Sequence, residues 1–192
     1  TWETAGHDVT KAAGGNAGGW FYYGADGKPN INMNAHLMGR RILNYETAGM
    51  DAQVERTLHE YASYVTHEYG HHIDETFKKF SAELGDVTGL PEYMAVHKAI
   101  EESGTIKLIS SGQVRVAKGA PEKYIDDRYR DYLMKPEERF ARAFQQFIAV
   151  ESGDKGLMGW VRRDPTLWYS AEYEPIRAAM TKFLRRIGWL ES

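Results

Sequence analysis

The stretch VTHEYGHHID, Val65 to Asp74, places three histidines and two carboxylates within ten residues. Around it Val54, Leu58, Tyr61, Val65, Tyr69, Ile73, Phe77 and Phe80 recur every three or four positions, so a long amphipathic helix is predicted from Asp51 to about Leu84. On such a helix His67 and His71 point within about 40° of each other and stand about 6 Å apart along the axis. Two imidazoles so placed can share one metal ion. Glu68 lies between them on the same rim, where its carboxylate can take a proton from a water that the ion acidifies to a pKa of about 7. His-Glu-x-x-His therefore encodes two ligands and a base.

A near copy upstream, LHEYAS from Leu58 to Ser63, fails this test because Ser63 stands where the second histidine would be. His59 and Glu60 are accordingly assigned to a structural or solvated face. Gly70 inside the motif costs about 1 kcal/mol relative to alanine, which makes sense if something approaches the backbone closely there. Val65, Tyr69 and Ile73 are expected to pack behind the motif, leaving its polar side as a cleft wall. Asp74 lies about 7 Å along the axis from the level of the ion, too far for a short side chain. It is read as orienting a ligand imidazole or anchoring the helix end. His72 points about 100° away from His71 and is read as a surface or supporting histidine.

The chain of 192 residues is 42% hydrophobic and 12% aromatic, enough for one substantial core. A glycine-rich flexible arm is expected over 1–19 and a single domain over 20–192. The net charge of -3 lacks the basic excess of a nucleic-acid binder. No run of about 18 apolar residues is present, so no membrane span is expected. Without cysteine, any metal must be held by histidine and carboxylate. The chain begins at Thr1 without a leader pattern, and the expectation is a mature product or a domain cut from a longer polypeptide.

GWFYYGADGKPNINMN reads as a hairpin turning at Asp26-Gly27, with Pro29 marking an edge strand. TIKLISSGQVRVAKG reads as a second hairpin, Ile106 and Leu108 alternating before a turn at Ser111-Gly112 and Val114 and Val116 after it. Helices are predicted at about 91–103, 121–133, 136–152 and 175–188, each with a proline suited to its first turn. Lys182, Arg185 and Arg186, with Arg162 and Arg163, read as solvated helix faces.

A catalytic zinc site takes three protein ligands and leaves a fourth position for water. The third is sought in KPEERFARAFQQFI, where Pro136 starts a helix and Phe140, Phe144, Phe147 and Ile148 form its apolar side. Glu137 and Glu138 both occupy its first turn, where the helix dipole favours carboxylates in any case.

HEYGHHID followed by EERFARAF resembles the gluzincin metallopeptidases, in which a second helix after His-Glu-x-x-His supplies a glutamate ligand. Within that family it looks most like the catalytic domain of anthrax lethal factor and its relatives, and like metallopeptidase domains of phage head proteins and polymorphic toxins. The specific likeness covers about 65–75 and 132–148. It implies an α+β, zincin-like fold, mainly helical, with a small N-terminal sheet. It makes Glu138 the third ligand of one zinc ion held with His67 and His71, and leaves Glu137 solvated. It also implies an oxyanion-stabilising tyrosine shortly before the glutamate, with Tyr132 favoured over Tyr129. An edge strand above the motif helix would receive an extended peptide or protein substrate. The expected activity is zinc-dependent endopeptidase, in a secreted, cell-delivered or virion-associated setting. The rival expectation is a non-catalytic, zinc-stabilised structural or interaction module of a phage or mobile element.

Overall fold

The computed structural model describes residues 19–23, 29–33, 46, 49–83, 90–115 and 123–191. The expected arm, apart from Gly19, and the Asp26-Gly27 turn lie outside these residues. Strands β1 (Gly19–Tyr23) and β2 (Pro29–Met33) pair antiparallel, Phe21 opposite Ile31 and Tyr23 opposite Pro29. Pro29 thus sits at the loop end of a two-stranded ladder, where a missing N–H is tolerated. The hairpin lies against helix α1 (Asp51–Glu83), the 33-residue helix that carries the motif.

Helices α2 (Pro91–Glu102), α3 (Gly104–Ser110), α4 (Asp127–Leu133), α5 (Pro136–Ser152), α6 (Lys155–Arg163) and α7 (Ser170–Arg186) complete the described helices. The fold is mainly helical with small antiparallel sheets, an α+β arrangement. Helix α5 is the central element: it crosses α1 on one side and meets α2, α6 and α7 on others. Its Phe140, Phe144 and Phe147 join Tyr173, Ile176, Met180 and Phe183 of α7 and Val96 and Ile100 of α2 in the buried core. Each large side chain so buried contributes about 1.5–3 kcal/mol of hydrophobic stabilisation, which fixes α5 firmly in place. Gly153, at φ 63°, ends α5 in the left-handed conformation that glycine adopts without strain.

Helix α1 forms where predicted, and of its apolar stripe Ile73 is buried in the core with Phe77 packed against it, but burial also extends over the polar side. Its buried residues include Thr57, Ser63, Glu68, Gly70 and Asp74, whereas Leu58 is 51% and Tyr69 36% exposed. Helix α5 packs on the polar stripe because that stripe is small and finds partners. The Gln145 amide donates to the Ser63 carbonyl at 2.9 Å, and a Cβ built on Gly70 would stand only 2.6 Å from Ala141 Cα. The close approach anticipated at Gly70 is the backbone of α5 itself.

The second hairpin needs correction. Residues 104–110 form α3 rather than a strand, with Ser103 capping the Ile106 N–H and Thr105, Ile106 and Ile109 buried on one face. Alternation over so few residues is equally compatible with helical spacing, and tertiary burial chose the helix. The strand that does form, β3 (Gln113–Val114), pairs with β4 (Lys123–Tyr124), beyond the predicted hairpin. Val116 and Pro121 lie outside the described residues. The predicted helix over 121–133 is restricted to α4, with Asp126 as its N-cap. Helix α7 begins five residues ahead of Pro175, because Tyr173 is buried and its hydroxyl donates to the Ala143 carbonyl at 2.7 Å. Helix α6 was not predicted. Its signals are the Asp154 cap, whose carboxylate accepts from the Leu157 N–H, and the spacing of Leu157, Trp160 and Val161, obscured by three glycines nearby.

Candidate metal centre

Helix α1 presents His67 and His71 from successive turns, and helix α5 brings Glu138 to them from its first turn. The two Nε2 atoms are 3.2 Å apart, and Glu138 Oε2 is 3.4 Å from each. The three donors form an almost equilateral triangle. Together they make a group that could hold a metal ion. Glu138 is 1% exposed, so its charge is sustained by its neighbours rather than by water. Burial works to raise its pKa; hydrogen bonds from His67 and His71 and the charge of Arg142 overcome that and hold the carboxyl far below the usual range. Burial likewise lowers the His71 pKa, but the Glu138 carboxylate, with Glu68 and Asp74 further off, reverses this and leaves it raised.

The tertiary structure separates the two adjacent glutamates of α5. Glu137 is half exposed and lies 3.9 Å from Lys78, while Glu138 turns inward to the imidazoles. One residue along a helix rotates a side chain by about 100°, so only one of the pair can face the imidazoles.

Glu68 is buried beside this group, 7% exposed, and its charge is felt by both His71 and Tyr132. Tyr132 is 43% exposed, and its hydroxyl has a raised pKa through local desolvation first and then through the neighbouring Glu138 carboxylate. Tyr129 stacks on Tyr132 with ring centroids 6.2 Å apart, and its hydroxyl is raised mainly by burial. Of the two tyrosines, Tyr132 is the one on which the Glu138 and Glu68 charges both act to raise the pKa.

Other motif residues fall away from the centre. Asp74 accepts from Tyr93 at 2.6 Å and from His97 at 3.1 Å and pairs with Lys78 at 2.5 Å. It therefore ties the middle of α1 to α2, and neither orients a ligand imidazole nor anchors the helix end, which comes at Glu83. His72 lies beside Thr76 and Tyr69, outside the donor triangle. In the upstream copy, His59 pairs with Asp154 at 3.5 Å, and Ser63 docks Gln145 of α5. That segment is structural.

The sequence reading missed the support behind Glu138. Arg142, one turn further along α5, places Nη1 3.6 Å from Glu138 Oε1, the oxygen turned away from the histidines. Its Nη2 donates to Asp164 at 2.8 Å and to the Thr166 hydroxyl. Asp164 is held in turn by the Thr166 N–H at 2.8 Å. Glu138 Oε1 is buried without a hydrogen bond, so the guanidinium charge is what accompanies it inside the protein. The i, i+4 spacing of Glu138 and Arg142 was legible, but Asp164 lies 22 residues further on and carried no signal.

Comparison with protein-family models, with curated proteins and with solved structures found no match. The reading of this centre rests on its geometry.

Proposed function

We propose that the chain is a zinc-dependent endopeptidase of gluzincin type with a zincin-like fold, and that one zinc ion is held by His67, His71 and Glu138. The observation that carries this reading is the donor triangle. A tetrahedral ion with bonds of about 2.0–2.1 Å sets its ligand atoms about 3.3–3.4 Å apart along each edge. The edges here are 3.2, 3.4 and 3.4 Å. Two imidazoles and one carboxylate without thiolate are also the donor set of hydrolytic zinc sites.

When bound, zinc would acidify water to a pKa of about 7 and polarise a peptide carbonyl as a Lewis acid. The chain supplies the rest. Glu68 takes one proton from the attacking water as its oxygen bonds to the carbonyl carbon. It then passes that proton to the departing amide nitrogen as the C–N bond breaks, so water and one peptide give an acid and an amine. The Tyr132 hydroxyl, protonated throughout the neutral range, donates a hydrogen bond to the carbonyl oxygen as negative charge gathers there. The β1–β2 hairpin, lying on α1, offers an edge to which an extended substrate adds as a further strand.

A second reading, a non-catalytic zinc-stabilised module, is favoured by the triangle tying α1 to α5, the two helices on which the fold turns. Against it, the group contains only three protein donors among the described residues, whereas structural zinc sites are closed by four. Incubating the zinc-loaded chain with unfolded casein and a peptide library, with and without chelator, separates the two. Chelator-sensitive cleavage supports the peptidase. A chain that loads zinc, cuts no peptide and loses its fold on chelation supports the module. Cleavage confined to one protein of a cell lysate would place it with the toxin-like peptidases.

A further inference from the structure

A cavity of about 610 Å³ opens between α5, α6, α7 and the α6–α7 connection. It is within the range of about 300–1,000 Å³ typical of small-ligand sites. Val150, Met158, Val161, Leu167 and Trp168 line it with apolar surface. Arg162 and Arg163 also line it, and the other charged side chains around it have a counter-charge, although Arg115 Nη1 is buried without a hydrogen bond. Arg115 is paired with Glu172 and stacks 3.7 Å from the Tyr169 ring centroid. Asp164 is paired with Arg142, and Glu174 lies 3.5 Å from Arg177. Arg162 and Arg163 have no carboxylate partner among the described residues. The C-terminal dipole of α6 accounts for cations in its last turn, but not for the apolar chamber beside them.

We propose that this cavity is a binding site for a carboxylate on an apolar body, the body entering the chamber and the carboxylate engaging Arg162 and Arg163. These residues are therefore more than a solvated face. Guanidinium is suited to this because its planar fork pairs with both carboxylate oxygens and is weakly hydrated. The requirement for an apolar body follows from the floor, where a hydrophilic anion would lose hydration without replacement. Two sources present this chemistry: a free aliphatic or aromatic acid, and the C-terminal carboxylate of a peptide ending in an apolar residue. The site is independent of the metal centre and of the peptidase reading.

The full chain is titrated calorimetrically at pH 7 with decanoate and 3-phenylpropionate, with decanol and 3-phenylpropanol as uncharged controls. A peptide arm compares N-acetyl-leucyl-phenylalanine with its C-terminal amide. At least one acid is expected to bind about tenfold or more tightly than its uncharged counterpart. The double variant Arg162→Gln/Arg163→Gln, altered only at exposed positions, is expected to lose that advantage while its alcohol binding is unchanged. Met158→Trp, which fills the chamber, is expected to weaken acid and alcohol together. Preference for the free acids or for the peptide acid identifies the source, and either supports the site. No binding of any acid, equal binding of acids and uncharged controls, or full affinity in the arginine double variant overturns it.

Discussion

Gly70 of α1 lies against the backbone of Ala141 in α5, so closely that a Cβ on Gly70 would meet Ala141 Cα at 2.6 Å and Ala141 O at 3.0 Å. This contact sets how near the histidine helix comes to the glutamate helix. Gly70→Ala gains about 1 kcal/mol in helix propensity but must push two packed helices apart, at a cost of about 1–3 kcal/mol or more. The expected outcome is a lower melting temperature together with weaker metal binding, since the imidazoles retreat from Glu138. Ala141→Gly does not restore either, because the atoms struck are backbone. A Gly70→Ala chain with unchanged stability and metal affinity would contradict the crossing described here.

Glu68→Gln keeps the shape of the proposed base but cannot accept the proton. Peptide hydrolysis is expected to vanish while the metal-to-protein ratio stays at that of the parent. Replacing His67, His71 or Glu138 with alanine should instead lower the ratio itself. Metal analysis of each purified variant, beside a peptide cleavage assay, reads the two effects separately.

Arg142→Met removes the charge behind Glu138 and strands Asp164. Loss of such supporting groups costs about 10–100-fold in metal affinity in comparable sites, and a similar weakening is expected here. Asp164→Asn, which keeps a hydrogen-bond acceptor for Arg142, is expected to do less. Chelator competition measures both, and equal affinity across parent and variants would show that Arg142 only packs.

Tyr132→Phe deletes the hydroxyl assigned to the developing oxyanion. Removing one such donor costs about 10²–10³ in kcat, with KM little changed because the contact matters most in the transition state. Tyr129→Phe is expected to retain most activity. The opposite ranking would transfer the role to Tyr129.

Acid stability depends on Asp74. Burial favours its neutral form, but hydrogen bonds from His97, Lys78 and Tyr93 win and hold its pKa below the ordinary value. A carboxyl with a depressed folded pKa contributes stability that is complete above its unfolded pKa, about 3.9, and is lost as pH falls through the folded value. The parent should therefore exceed Asp74→Asn by a constant margin at pH 5–7 and lose that margin below about pH 4. Urea unfolding at several pH values tests this; a margin that does not shrink in acid would assign the cost of the variant to packing.

The sequence by itself determined the elements whose signals are local. His67, Glu68 and His71 share a helical rim because three- and four-residue spacings put them there, and α5 runs over Pro136–Ser152 as predicted because Pro136 opens it and Gly153 closes it. The hairpin at 19–33 was legible for the same reason. Only the tertiary structure decided which side of α1 is buried, since small and hydrogen-bonded residues such as Gly70, Ser63 and Asp74 admit a helix more closely than the apolar stripe does. It also turned Glu138, the ligand the resemblance implied, inward to the imidazoles, made a helix of Ile106 and Leu108, and brought Asp164 to Arg142. These depend on contacts between residues far apart in the chain, whose energies are settled by packing partners that no local pattern encodes.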